Sequence, residues 1–167
     1  DKEEDVSFAV RINTIRKAVD GCTVPVDATE SSGLGLCRVL FPGIDFQQRE
    51  GLLAISLSNL NPQNHLAMAL CNLSRIETGE AWHQSLCVTP KVGKFMEALD
   101  AERLAIASAL GLSVRTIFEH FHLSFHVPLR DNISDMCQDI YKQGRDVLGP
   151  ATAHSRYIME DAPFGLA

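Results

Sequence analysis

Three groups of residues in this chain have types and spacings that could do chemistry. The first is Asn61-x-x-x-His65, followed far downstream by Arg156-Tyr-Ile-Met-Glu160-Asp161. Histidine changes charge near neutral pH and is the usual general acid or base. Near a helix N-terminus the positive dipole end disfavours imidazolium, so a carboxylate such as Asp161 would be needed to orient the ring and stabilise its charged form. Arg156 would add a planar two-donor clamp for a substrate carboxylate. The same residues also admit a purely structural reading: Asn61 a helix cap, His65 a satisfied histidine, Arg156 and Glu160 an i,i+4 surface pair, and Asp161 a helix-end residue beside Pro163.

The second group is His120, His122 and His126, interleaved with Phe118, Phe121 and Phe125. On a helix His122 and His126 share a face, but His120 lies about 160° from His122. Aromatic packing is therefore the expectation, and no metal. The third is Glu102 to His122, with the helix, glycine turn, serine and second helix of a helix-turn-helix. Its second helix offers Arg115 and Thr116, then Phe118, Glu119 and Phe121, without a basic stripe for phosphates. An ordinary αα-hairpin is the better reading.

Elements must place these residues. Val6–Ile12, Val24–Val26 and Arg38–Phe41 read as short strands around a Ser-Ser-Gly-Leu-Gly stretch, which makes the beginning of the chain α/β. After Pro42-Gly43 the pattern turns helical, with a boundary between Gly43 and Ser58. Asn61 suits an N-cap and Pro62 the first helical position, opening a helix to about Thr78-Gly79 with Leu66, Leu70 and Leu73 as an apolar stripe. A second helix runs from Lys94 to Leu110, with Phe95, Leu99, Ile106 and Leu110 in register and Gly111 closing it. Ser113 opens a third to His122, Asn132 caps a fourth over Ile133–Gln143, and a last turn from Ser155 to Asp161 is stopped by Pro163.

Composition narrows the classes. The 167 residues are 46% hydrophobic and 22% charged, which fits a folded domain, or a domain plus a fragment. A formal net charge of −6 disfavours tracking of nucleic-acid phosphates or anionic membranes. No apolar stretch approaches the ~20 residues of a membrane span, and the Asp-Lys-Glu-Glu-Asp start has no signal-peptide character. The five scattered cysteines suggest reduced thiols in a soluble, cytoplasmic protein. The start without Met suggests a fragment or a processed chain.

Four stretches, in order, carry a resemblance. They are Ser58-Asn-Leu-Asn-Pro-Gln-Asn-His65, Asn72-Leu-Ser-Arg-Ile-Glu77, Leu99-Asp-Ala-Glu-Arg-Leu-Ala-Ile-Ala-Ser-Ala-Leu-Gly-Leu112, and Gly149-Pro150 leading to Arg156-Tyr-Ile-Met-Glu-Asp-Ala-Pro-Phe-Gly-Leu166. Together they resemble the opine dehydrogenases, the octopine and nopaline dehydrogenase family, in their C-terminal helical domain. The resemblance implies a mainly α fold: a multi-helical substrate domain (53–167) of a two-domain dehydrogenase, preceded by a short α/β remnant and linker of the Rossmann domain (1–52). It implies an NAD- or NADP-dependent oxidoreductase that joins an amino acid to a 2-oxo acid and reduces the imine, or runs the reverse oxidation. The family's catalytic histidine falls on His65, its carboxylate partner on Asp161, its substrate-carboxylate arginine on Arg156, and a position near cofactor and substrate on Asn61.

Two departures accompany it. Leu66 follows His65 where the family commonly has proline. No Gly-x-Gly-x-x-Gly follows a strand, since Gly33-Leu-Gly35 lacks the third glycine and the later acidic residue. The chain alone is therefore expected to be inactive, its cofactor held mainly by a domain outside it. A homodimer is one assembly the sequence allows. From another class, the alternative is a helical DNA-binding or interaction module built on the 102–122 hairpin.

Overall fold

The computed structural model describes residues 15–24 and 33–165. The strand expected at Val6–Ile12 lies outside the described residues, as does most of Val24–Val26. Strands β1 (Ala18–Gly21) and β2 (Asp45–Gln48) pair in parallel, with Ala18 opposite Asp45 and Gly21 opposite Gln48. Helix α1 (Gly33–Leu40) lies between them in the chain, the arrangement a parallel pair requires. The strand expected at Arg38–Phe41 is instead the end of α1. A short apolar run cannot by its composition separate a strand from a packed helix. Here Leu34 is buried from inside α1, and Arg38 donates to the Phe46 carbonyl at 2.6 Å. The protein is thus mostly helical, preceded by a small α/β unit.

Helix α2 (Leu52–Leu57) follows, then α3 (Asn61–Cys71) and α4 (Leu73–Glu77). The single helix expected from Asn61 to Thr78 breaks at Asn72, whose φ is −124° and ψ 22°. Its side chain donates to the Met68 carbonyl at 3.0 Å, the local competition that makes asparagine a helix breaker. Leu60, not Asn61, is the N-cap of α3, and Asn59 Oδ1 accepts from the Asn61 N–H at 3.1 Å. Helix α5 (Pro90–Ala109) begins a turn earlier than Lys94, because Thr89-Pro90 supplies the extended cap and the proline.

Helix α6 (Ile117–Phe125) opens at Thr116 rather than Ser113, through a capping box in which Thr116 Oγ1 accepts from Glu119 N–H at 3.2 Å and Glu119 accepts from Thr116 N–H at 2.8 Å. Helix α7 (Ile133–Lys142) is capped by Asn132 as expected. Near the C-terminus a π-helical turn (Tyr157–Asp161) runs directly into α8 (Ala162–Gly165). Pro163 does not stop the chain. It lies in α8, directly after the π turn, and the helical path continues through it. Among the described residues no helix is long and apolar enough to cross a membrane.

The core forms where α3, α5, α6 and α7 meet, around Met68, Met96, Ile117, Phe121, Ile133 and Met136. Its stripes differ from the apolar ones in the sequence. Leu70 is 54% exposed and Ile106 53%, whereas the buried line along α5 is Met96, Asp100, Arg103, Ala107. A charged pair occupies the middle of that line. Asp100 accepts from Gln63 of α3 at 3.0 Å, from Arg103 at 2.7 and 3.0 Å, and from the Ile117 N–H at the start of α6 at 2.9 Å. Arg103 also donates to the carbonyls of Leu57 and Arg115. One ion pair therefore ties α2, α3 and α6 to α5.

The last segment returns across Trp82. The Gly149 N–H donates to the Trp82 carbonyl at 2.8 Å, and the indole N–H donates to the Pro150 carbonyl at 3.0 Å. A Cβ on Gly149 would overlap the indole ring, and one on Gly165 would overlap the Pro62 ring at the start of α3. Only glycine permits these two approaches, which lay the C-terminal turn along α3.

Asp100→Ala should lower stability by about 3–5 kcal/mol, the usual cost of leaving one member of a buried pair uncompensated. Thermal unfolding would measure it; a loss below about 1 kcal/mol, typical of exposed pairs, would show that Arg103 does not depend on this carboxylate.

Candidate active site

His65 sits in the second turn of α3, half-buried, and faces the C-terminal π turn. Its Nδ1 lies 2.7 Å from Asp161 Oδ2, a contact between residues 96 apart in the chain. Because an ionised carboxylate can only accept, Nδ1–H is the donor and the lone pair of the neutral ring is left on Nε2. The Tyr157 ring stacks on the imidazole, centroids 3.6 Å apart and planes 4° from parallel. Tyr157 is fixed in turn by a hydrogen bond from the Gln84 amide to its hydroxyl. The imidazole is held in its plane by the stack and in its rotation by the carboxylate.

The wide turn brings Arg156 to the same side as these contacts. A π turn closes i to i+5, so Arg156 and Asp161 come to the same side, whereas on an α-helix they would stand about 140° apart. Arg156 Nε lies 3.3 Å from Glu160 and its Nη2 lies 3.9 Å from Asp161 Oδ1. The Arg156 side chain is 72% exposed, so its guanidinium remains open to solvent beside the buried pair. The i,i+4 surface pair of the structural reading is thus present together with the His65–Asp161 contact.

Competing effects act on His65. Burial is the largest and pushes its pKa down, the hydrogen bond and charge of Asp161 push it up, and Arg156 adds a smaller depression; the net direction is below the ordinary value of 6.5. The resting ring is a neutral base oriented by a carboxylate. Asn61, one turn before His65, lines the same cavity of about 150 Å³ as the imidazole. All four residues singled out in the sequence therefore lie around one locus.

Other residues at this locus were not singled out. Tyr157 and Asn64 stand within the quoted motifs and Gln84 outside them, and none carries a charge to mark it. Arg16 precedes β1, and its Nη2 lies 3.3 Å from His120 Nε2. The three downstream histidines go separate ways: His120 to Arg16, His122 Nδ1 to the Val127 carbonyl at 2.7 Å, and His126 Nε2 to the Ile15 carbonyl at 3.1 Å. Among the described residues no three metal-ligating side chains converge. Arg115, the best base-reading candidate of the hairpin, instead pairs with Asp20 and donates to Gln47 at 2.5 Å, joining α6 to the small sheet. Thr116 is consumed by its capping box. The feature on which the DNA-binding alternative rested is therefore committed to internal structure.

With the geometry in place, comparison with known proteins defines the class. Residues 48–167 match the family described as NAD/NADP octopine/nopaline dehydrogenase, alpha-helical domain. The chain belongs to that family. It is also 30% identical over 164 residues to a protein named opine dehydrogenase from Arthrobacter sp. (strain 1C), covering 94% of this chain and 43% of that relative. The chain thus spans less than half the length of the curated relative it matches.

One pH dependence follows from the neighbouring histidine. Burial, then the charges of Arg16, Arg103 and Arg115, push the pKa of His120 down to about 4, against a smaller opposing effect of Asp20. The unfolded chain, with its histidine near 6.5, takes up the proton first, so stability falls as pH drops from about 6.5 towards 4. Thermal midpoints over that range should fall less steeply in His120→Gln than in the native chain. Equal slopes would mean that His120 is not held neutral by the fold.

Proposed function

We propose that this chain is the substrate-binding and proton-handling part of an NAD- or NADP-dependent opine dehydrogenase-like oxidoreductase that joins an amino acid to a 2-oxo acid and reduces the imine. In this reading residues 1–52 are the end and linker of the nucleotide-binding domain and 53–167 the substrate domain. The observation that carries the proposal is the His65–Asp161 hydrogen bond at 2.7 Å, with the ring stacked on Tyr157. Five free thiols support a reducing compartment, and we place the protein in the cytoplasm.

The described residues do not fit the nicotinamide cofactor itself. Gly33 and Gly35 lie within α1 rather than in a glycine turn after a strand, so no pyrophosphate cradle is formed here. The cofactor supplies the hydride, and its binding is assigned to protein outside these residues. This chain handles the proton. The Nε2 lone pair takes a proton from the ammonium of the amino acid, freeing the nitrogen to add to the oxo carbon. The same nitrogen returns the proton to the hydroxyl that leaves as water, so His65 ends as it began. Asp161 stabilises the transient imidazolium and holds the tautomer that leaves Nε2 free. Arg156 offers its fork to a substrate carboxylate, and Asn61 stands one turn from His65 at the cavity wall.

In the full-length protein, His65→Ala should lower turnover by roughly 10²–10⁴ with folding nearly intact. Asp161→Asn should also impair it, because the amide leaves the imidazolium without a counter-charge. Steady-state kinetics decides: near-normal turnover in both variants would remove the pair from the mechanism. Arg156→Lys keeps the charge and loses the fork, so the KM of one substrate should rise. Unchanged KM for both the amino acid and the oxo acid would return Arg156 to its surface pair with Glu160.

A further inference from the structure

The side chain that anchors Tyr157 over His65 comes from a loop. Gln84 stands in the turn between α4 and α5, outside any helix or strand, so its place depends on what that turn is tied to. The ties run to 145–150, the segment after α7. The Gln84 backbone N–H donates to the Val147 carbonyl at 3.0 Å, and the Gly149 N–H donates back to the Trp82 carbonyl at 2.8 Å. The Gln84 side-chain amide has two hydrogens and donates both to the Leu148 carbonyl, at 3.2 Å, and to the Tyr157 hydroxyl. Beside these bonds lies a carboxylate that takes no part in the proton steps. Asp146, its side chain 4% exposed, accepts from the Ser85 N–H at 2.9 Å through Oδ1, and its Oδ2 lies 3.3 Å from Nδ1 of His83 without an aligned hydrogen bond.

We propose that Asp146 and Gln84 are positioning residues for His65: Asp146 fixes the turn that carries Gln84, and Gln84 fixes Tyr157 flat against the imidazole. For turnover this rests on the proton-handling reading above; for the state of the ring it does not. A buried carboxylate stripped of its donors is costly, so the Ser85 bond holds the turn against 145–150. Tyr157 belongs to the π turn, and its ring can swing about its own side-chain torsions unless the hydroxyl is held. The stack, at 3.6 Å and 4°, depends on that hold. A ring that swings away uncovers one face of the imidazole to water and leaves it able to pivot about its bond to Asp161. Burial is the largest influence on His65, so uncovering raises its pKa towards 6.5, and pivoting misplaces Nε2. The charged groups facing His65 are Asp161 and Arg156 on the π turn and Arg16 across the shared cavity, where the neutral His120 also stands. Among the described residues none of these makes a hydrogen bond or ion pair with Gln84 or Asp146.

Steady-state kinetics and nitrogen-15 NMR of His65 in the full-length protein test the assignment through a double-mutant cycle. Gln84→Leu removes the donor, and Tyr157→Phe removes the acceptor while keeping a ring to stack. Each should lower kcat by about tenfold to a hundredfold, with KM changed far less, and raise the His65 midpoint towards 6.5. The double variant should be no worse than either single one, because both break the same bond. Asp146→Ala should move kcat and midpoint in the same direction, and Asp146→Asn, which keeps an acceptor for the Ser85 N–H, should restore most of both. Multiplying effects in the double variant, or native kcat and midpoint in Gln84→Leu whatever its melting temperature, would overturn the assignment. Native values in Asp146→Ala would overturn it for Asp146, and should that variant not fold, the Gln84–Tyr157 cycle decides alone. The stated midpoint shifts in a protein that turns over no amino acid with an oxo acid would refute the proton-handling reading and uphold the positioning of the ring.

Discussion

A single hydrogen bond, from His65 Nδ1–H to Asp161, joins the start of the helical part to its end and sets the chemistry of the ring. Burial favours a neutral histidine and the carboxylate favours a charged one; burial prevails. That balance leaves a base with its free lone pair on a defined nitrogen and a counter-charge ready when the proton arrives. Exposing the ring would return it towards an ordinary surface histidine. Removing the carboxylate would free its rotation and its tautomer.

The remaining architecture serves that contact. Asp100 and Arg103 lock α2, α3 and α6 onto α5, which fixes the helix carrying His65. On the opposite side Trp82, Gly149 and Pro150 steer the chain back so that the π turn meets α3, and Gly165 lets α8 lie against Pro62. The π turn then places Tyr157 on the face of the imidazole and Asp161 at its Nδ1. Arg115, pinned by Asp20 and Gln47, ties the small sheet to the same frame and brings Arg16 to the cavity mouth.

Much of this was legible in the sequence, through residues whose chemistry is local. Asn132 and Gly111 mark helix ends as expected, because caps depend on one or two residues. The four candidate residues that the structure brings near one another were singled out through resemblance to a family and through charge. What stayed hidden has a common cause in tertiary structure. The buried line of α5 carries Asp100 and Arg103, so an apolar count selected the neighbouring, exposed Ile106 and Leu110 instead. Arg38–Phe41 has the composition of a strand but packs as a helix over β2. Tyr157 looked like any aromatic, since its importance comes from a stacking partner about ninety positions earlier. The π turn left no signal at all: Pro163 reads as a stop, yet the helical path runs through it into α8.

The central claim is that burial keeps His65 neutral while Asp161 holds it as the Nδ1-protonated tautomer. Nitrogen-15 NMR of the imidazole measures both properties in one titration. The account predicts an Nδ1–H tautomer at neutral pH and a midpoint below the ordinary 6.5, with the tautomer preference lost in Asp161→Asn. An Nε2–H tautomer in the native chain, or a midpoint above 6.5, would contradict it.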